Sequence, residues 1–168
     1  MASLKLEIVQ NPPFSSLEEE ALLNLLRTAD FMHRAFHLKT RSWGVTSTQY
    51  NVLRILRGAH PNGLTCSAIG DRMITAEPDI TRILARLKAL KLIHQHRDRN
   101  DRRVVLTLIS PSGLELLRQM DPIIERIPID LFDHMGRADI TKLIALLEQA
   151  RSRCTKDKEA AASTDQRG

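Results

Sequence analysis

At 168 residues, with 25 Lys and Arg against 20 Asp and Glu and a formal charge of +5, the chain can bury one sizeable core and is moderately basic. Phe, Tyr and Trp make up only 4% of it while Leu and Ile abound, which argues for helices packed through aliphatic side chains and against a β-sandwich. No apolar run approaches the roughly 18 residues of a membrane span, "MASLKLEIVQ" lacks the pattern of a secretory leader, and Cys66 and Cys154 form no disulfide framework, so the chain reads as cytoplasmic with reduced thiols.

The first long element is predicted in "NPPFSSLEEEALLNLLRTADFMHRAFHLKTRSWG". Ser16-x-x-Glu19 offers a capping box, and Leu22, Leu25, Ala29, Met32 and Phe36 repeat at helical spacing up to a stop before Gly44. A second, shorter helix follows in "VTSTQYNVLRILRGAHPNG", capped by Thr46-x-x-Gln49 and broken at "GAHPNG". Thr65 can cap a helix of barely two turns that buries Ala68, Ile69 and Met73. After almost no loop comes a longer helix with Pro78 in its first turn and an apolar stripe of Ile80, Ile83, Leu84, Leu87 and Leu90.

"LIHQHR" and "RVVLTLI" then read as two strands around the tip "DRND", with the inward face of the second strand unassigned. Ser110 and Pro111 start a further helix, in which Pro122 and Pro128 predict a kink or a break. The last helix carries Ile140, Leu143, Ile144, Leu147 and Ala150 on one face, and residues 157–168, which have no such face, read as a disordered tail.

A short helix, a tight turn and a longer basic helix form the helix-turn-helix pattern, and a basic hairpin directly after it has the arrangement of a wing. Between Asp71 and Arg103 nine Lys and Arg stand against five acids, a net of +4, and four arginines crowd into the seven residues from Arg97 to Arg103. Like charges repel, so such a tip implies a polyanion as its counter-charge. The residues placed to meet DNA are Asp79, Thr81, Arg82 and Arg86 on the longer helix and Arg97, Arg99, Arg102 and Arg103 in the wing. Asp101 is expected to pair with Arg103 or Arg99 and aim a neighbouring arginine.

From about Leu22 to Ala150 the chain resembles the MarR family of bacterial winged-helix transcription regulators. "VTSTQYNVLRIL", "LTCSAIGDRM", "DITRILARLKALKLI" and "DRRVVLTLISPSG" carry the resemblance in order. Departures include Ile74 where many helix-turn-helix turns have Gly, Ala68 where a capping Glu is common, Lys91 for the usual Gly before Leu92, and Ser110 for Thr after the wing. The resemblance implies a mainly α fold with a small β wing: a dimerisation helix at 14–44, a winged helix-turn-helix module at 46–110, and C-terminal dimerisation helices at 111–152. It also implies a homodimeric repressor on a pseudo-palindromic double-stranded site, released by a small molecule or a stress signal.

By the same likeness His33, His37, Trp43 and Tyr50 can line a pocket for a small aromatic or phenolic effector; otherwise they are core or surface residues. The i, i+4 spacing of His33 and His37 suits a metal, but nothing visibly completes a ligand set, and no metal or cofactor is expected. Cys66, at a helix start, is either inert or redox-active. With no glycine-rich phosphate loop and no nucleophile beside a base, an enzyme is not expected; the competing reading is a protein-binding adaptor on the same scaffold.

Overall fold

The structure, a computed structural model, describes residues 3–75, 79–98 and 100–165, with side chains through Arg153. The chain divides into two units, Met1–Ile127 and Pro128–Gly168. In the first, a four-residue helix α1 (Leu4–Glu7) precedes α2 (Leu17–Arg41), α3 (Ser47–Gly58), α4 (Cys66–Gly70), α5 (Ile80–Ala89), the strands β1 (Ile93–Arg97) and β2 (Val105–Ile109), and the greater part of α6 (Pro111–Phe132).

The starts of α2 to α6 are set by short polar side chains that accept an otherwise unpaired amide. At α3 the box is complete: the Gln49 amide donates to Thr46 Oγ1 at 3.1 Å and the Thr46 amide to Gln49 Oε1 at 2.9 Å. At α2 it is shifted by one residue. Ser16 Oγ accepts the Glu19 amide at 3.1 Å, but Glu19 Oε2 takes the amide and hydroxyl of Ser15, at 2.6 and 2.7 Å. The Ala68 amide donates to Thr65 Oγ1 at 3.2 Å and starts α4.

Helix α3 is the centre of the core. Val52, Leu53 and Leu56 are fully buried, and the helix packs against α2, α4, α5 and β2. The predicted stripe of α5 is buried at Ile80, Leu84 and Leu87; Leu90, which caps the helix end, is exposed instead. In α2 most of the apolar stripe stays outside: Leu22, Leu25, Leu26 and Phe31 are exposed, while Met32 and Phe36 are half-buried.

The strands pair antiparallel, Ile93 opposite Ile109 and Gln95 opposite Thr107. The inward set is now defined: Ile93, Thr107 and Ile109 are buried, and Gln95 Nε2 donates to Thr107 Oγ1 at 3.2 Å. Leu64 adds a one-residue bridge to Thr107, with amide-to-carbonyl distances of 3.0 and 2.8 Å in the two directions. Pro122 and Pro128 do not end α6, which runs unbroken from Pro111 to Phe132; each proline removes one amide donor, and the buried Leu117, Met120, Ile124 and Ile127 hold the helix across the gaps.

The joint between α5 and β1 is a Schellman turn. The Leu92 amide donates to the Leu87 carbonyl at 3.0 Å and the Lys91 amide to the Lys88 carbonyl at 2.9 Å, with Lys91 at a φ of 60°. Lys91, which stands where the resemblance has Gly, thus occupies a left-handed position; Leu87 and Leu92 bury the apolar contact that accompanies such a turn. Ser110 Oγ donates to the Lys91 carbonyl at 2.7 Å and accepts the Gly113 amide at 3.0 Å, so one hydroxyl joins the end of α5 to the start of α6.

In the second unit α6 ends and α7 (Arg137–Asp165) follows. Ile140, Leu143 and Leu147 are half-buried there, while Ile144 and Leu146 are exposed. Residues 157–165, read from the sequence as a disordered tail, continue α7: Ala, Lys and Glu favour helix intrinsically even where no apolar face exists. Residues 166–168 lie outside the described residues.

Two substitutions at the joint have opposite expected effects. Lys91→Gly removes the left-handed penalty of about 1–2 kcal/mol at the cost of about 0.5–1 kcal/mol of chain entropy, so urea unfolding should show a net gain of about 0–1.5 kcal/mol. A Cβ on Gly113 would collide with the Leu92 carbonyl oxygen and come within 2.7 Å of Ile109 Cγ1. Gly113→Ala should therefore lose about 1–3 kcal/mol in the same measurement.

Candidate nucleic-acid interface

Asp79 stands immediately before α5, and its Oδ1 accepts the Arg82 amide at 2.9 Å. That gives the acid a structural task, capping the helix from which the cations project. With Ile80, Leu84 and Leu87 buried, the opposite face exposes Thr81, Arg82, Ala85, Arg86 and Lys88. Arg82 and Arg86 lie one turn apart and point from the same face. Thr81 Oγ1 lies 3.9 Å from Cys66 Sγ, so the exposed start of α4 meets the first turn of α5. The expectation for Pro78 falls outside the described residues.

In the wing, the acids act on the backbone. Asp98 Oδ1 accepts the amides of Asn100 and Asp101 at 2.7 and 3.1 Å, and these bonds hold its carboxyl below the usual range. Asp101 Oδ1 accepts the Arg103 amide at 2.9 Å. The expected pairing of Asp101 with the Arg103 guanidinium is thus replaced by a bond to that residue's backbone, because a short carboxylate two residues upstream reaches the amide directly. Pairing with Arg99 lies outside the described residues, as does Arg99 itself.

The Arg97 guanidinium is turned back across the hairpin, Nη1 donating to the Arg102 carbonyl at 2.9 Å. Arg102 and Arg103 are exposed, with their neighbouring carboxylates committed to amides. The arrangement can present net positive charge on a turn of defined shape.

Of the expected pocket residues, the structure brings three to the junction of α2 and α3. The His33 and His37 rings stack with centroids 6.3 Å apart, His33 Nε2 lies 3.4 Å from Ser47 Oγ, and Tyr50 packs its ring on Phe36 at 5.5 Å. Tyr50 is buried, which pushes its phenol up, against the nearby Arg54. Trp43 lies half-buried in the connection between the two helices. Among the described residues no cluster of three or more His, Cys, Asp or Glu could hold a metal, and no helix is long and apolar enough to cross a membrane.

Sequence reasoning missed one pair. Arg57, in the last turn of α3, donates through Nη1 to Asp121 Oδ2 of α6 at 2.7 Å, and this bond favours its charged form. A cation beside the fully buried Leu56 was the only local sign of it.

A short capped helix, a second helix with a cationic outer face and a basic antiparallel hairpin, in that order, define a winged helix-turn-helix protein. The MarR family model matches residues 43–104, the stretch that contains these elements. A MarR transcription factor from Planctomyces limnophilus is 34% identical, with a TM-score of 0.62 over 82% of this chain and 99% of that one. BpsR of Bordetella bronchiseptica, whose DNA binding is regulated by 6-hydroxynicotinic acid, is 25% identical with a TM-score of 0.72, over 84% of this chain and 99% of its own. The HTH-type transcriptional regulator MhqR of Bacillus subtilis (strain 168) is 27% identical over 147 residues, 88% of this chain and 81% of that protein. The chain belongs to the MarR family and is a transcription regulator, not an enzyme.

The wing turn should be pH-dependent. Because the folded pKa of Asp98 is depressed, the carboxylate's contribution is present above its unfolded value of about 3.9 and lost as pH falls through the lower folded value. A carboxyl NMR titration should give an Asp98 midpoint below that of an unfolded peptide, with the amide shifts of Asn100 and Asp101 moving together with it; a midpoint at the peptide value would remove Asp98 from the turn.

Proposed function

We propose that this regulator is a cytoplasmic homodimeric repressor that binds a pseudo-palindromic site in double-stranded DNA. The observation that carries the reading is the outward face of α5, exposed and bearing Arg82, Arg86 and Lys88, followed at once by a wing whose acids each give an oxygen to backbone amides. Thr81, Arg82 and Arg86 read base edges in the major groove, where arginine can donate two bonds to one guanine. Asp79 fixes the start of that helix. Arg99, Arg102 and Arg103 meet phosphates and the minor groove, and Arg97 stiffens the wing that carries them.

The dimer is supported by exposed apolar side chains among the described residues, in the first unit Leu22, Leu25, Leu26 and Phe31 on α2 and Ile123 on α6, and in the second Ile129, Ile144 and Leu146. A small aromatic or phenolic effector would enter near His33, His37, Trp43 and Tyr50 and release the DNA. The regulation of BpsR by an aromatic acid supports that class of ligand.

The test is a salt titration of the protein on the DNA flanking its own coding sequence, against random competitor. Arg102→Ala should weaken binding to all sequences and reduce the salt slope by about 1. Arg82→Ala and Arg86→Ala should each cost about 1–3 kcal/mol and relax discrimination at one position. Binding that ignores salt and survives all three substitutions would replace this reading with a protein-binding adaptor.

A further inference from the structure

The Arg57–Asp121 pair stands beside one of the two places where a proline removes a backbone hydrogen bond from α6. Asp121 immediately precedes Pro122, which has no amide to give the Arg118 carbonyl, and Pro128 repeats the gap for Ile124. An α-helix missing such bonds bends easily, so something outside its own ladder must set its course there. Arg57 is well placed to do so. It belongs to α3, the helix that packs against α2, α4, α5 and β2, so its position is that of the whole reading module. The contact is short at 2.7 Å, and its side chains are only 35% and 27% exposed, so solvent competes weakly for it.

The pair is also part of a larger set. The buried Tyr50 phenol senses Arg54 and Arg57 from α3 and Asp121 and Glu125 from α6, so opposite charges of the two helices face each other around one side chain. Tyr50 in turn touches Phe36 of α2.

We propose that Arg57 and Asp121 are positioning residues that fix the direction in which α6 leaves the DNA-binding module, and through it the spacing of the two reading heads. The inference rests on the dimeric DNA-binding reading above. Neither residue lies on the outward face of α5 or in the wing; their effect is on geometry, and it appears only when both heads must be seated at once.

The experiment uses the full chain and a duplex recovered by selection from a random-sequence library, compared with a single half-site and with the same duplex carrying a longer spacer. For Asp121→Asn, half-site affinity should stay unchanged while full-site affinity falls about tenfold and the preference for the selected spacer flattens. The Arg57→Gln, Asp121→Asn double variant should be no worse than the single one, since the tie is removed only once. Asp121→Glu, which keeps the carboxylate, should recover most of the preference. Arg57→Lys, which keeps Asp121 partnered while shortening the tie, serves if Asp121→Asn does not fold.

An intact spacer preference in the folded variants would overturn the proposal, as would a fall in half-site affinity equal to that of the full site. A selection that recovers no duplex with the unaltered protein would overturn the DNA-binding reading itself, and this inference with it.

Discussion

The wing and the helix that precedes it depend on one hydroxyl. Ser110 Oγ binds the carbonyl of Lys91 at the end of α5 and the amide of Gly113 at the start of α6, while the Ser110 amide donates to the Leu92 carbonyl at 3.0 Å. Three chain segments that would otherwise each carry unpaired polar groups therefore satisfy one another in a space too small for a side chain at residue 113. Because both ends of the hairpin are held there, the orientation of β1 and β2 relative to α5 is a property of packing and not of the exposed tip. A basic wing could not hold itself in place: its own charges oppose compaction, and surface ion pairs are worth only about 0–1 kcal/mol each.

The same economy governs the tip. A turn rich in arginine could be stabilised by pairing each guanidinium with an acid, but the pairs would then cancel the field that makes the turn useful. Here Asp98 and Asp101 stabilise the turn through the amides of Asn100, Asp101 and Arg103, and Arg97 does so through a carbonyl. The carboxylates remain nearby in space, so the net charge of the tip is reduced, but the Arg102 and Arg103 guanidiniums are left to point outward. At the head of α5, Asp79 plays the corresponding part: it occupies the positive end of the helix dipole, which lies beside where phosphate would come, and holds the backbone there in one conformation.

These features divide cleanly by sequence distance. Caps at Ser16, Thr46, Thr65 and Ser110 were legible because donor and acceptor lie within three residues, and the wing strands because their ends are marked by charge and by Ser-Pro. The register inside the hairpin was not, since Val104 to Ile109 is almost wholly apolar and only the fold shows that the face of Thr107 and Ile109 is the buried one, with Val105 exposed toward the tip and Leu106 and Leu108 on the other face. Asp101 was expected to pair with the Arg103 or Arg99 guanidinium; toward Arg103 its Oδ1 takes the backbone amide instead, because composition suggests ion pairs while geometry favours the nearest amide. Arg57 and Asp121, separated by 64 residues, carry no mutual signal in one sequence.

The stripe of α2 shows the opposite limit. Its spacing is that of a buried helix face, yet Leu22, Leu25 and Leu26 remain exposed while the buried contacts of the junction fall to Thr40 and, on α3, Tyr50. A hydrophobic period states that a face has to be covered; it does not state by what. In a chain whose own core is built around α3, the exposed apolar stripe of α2 differs in character from the outward face of α5 and the wing, where Arg82, Arg86, Lys88, Arg102 and Arg103 stand exposed. Separation of the two surfaces, one apolar and one cationic, follows from the physics of each: apolar association needs low charge density, and capture of a polyanion needs exposed charge that no neighbouring protein surface neutralises.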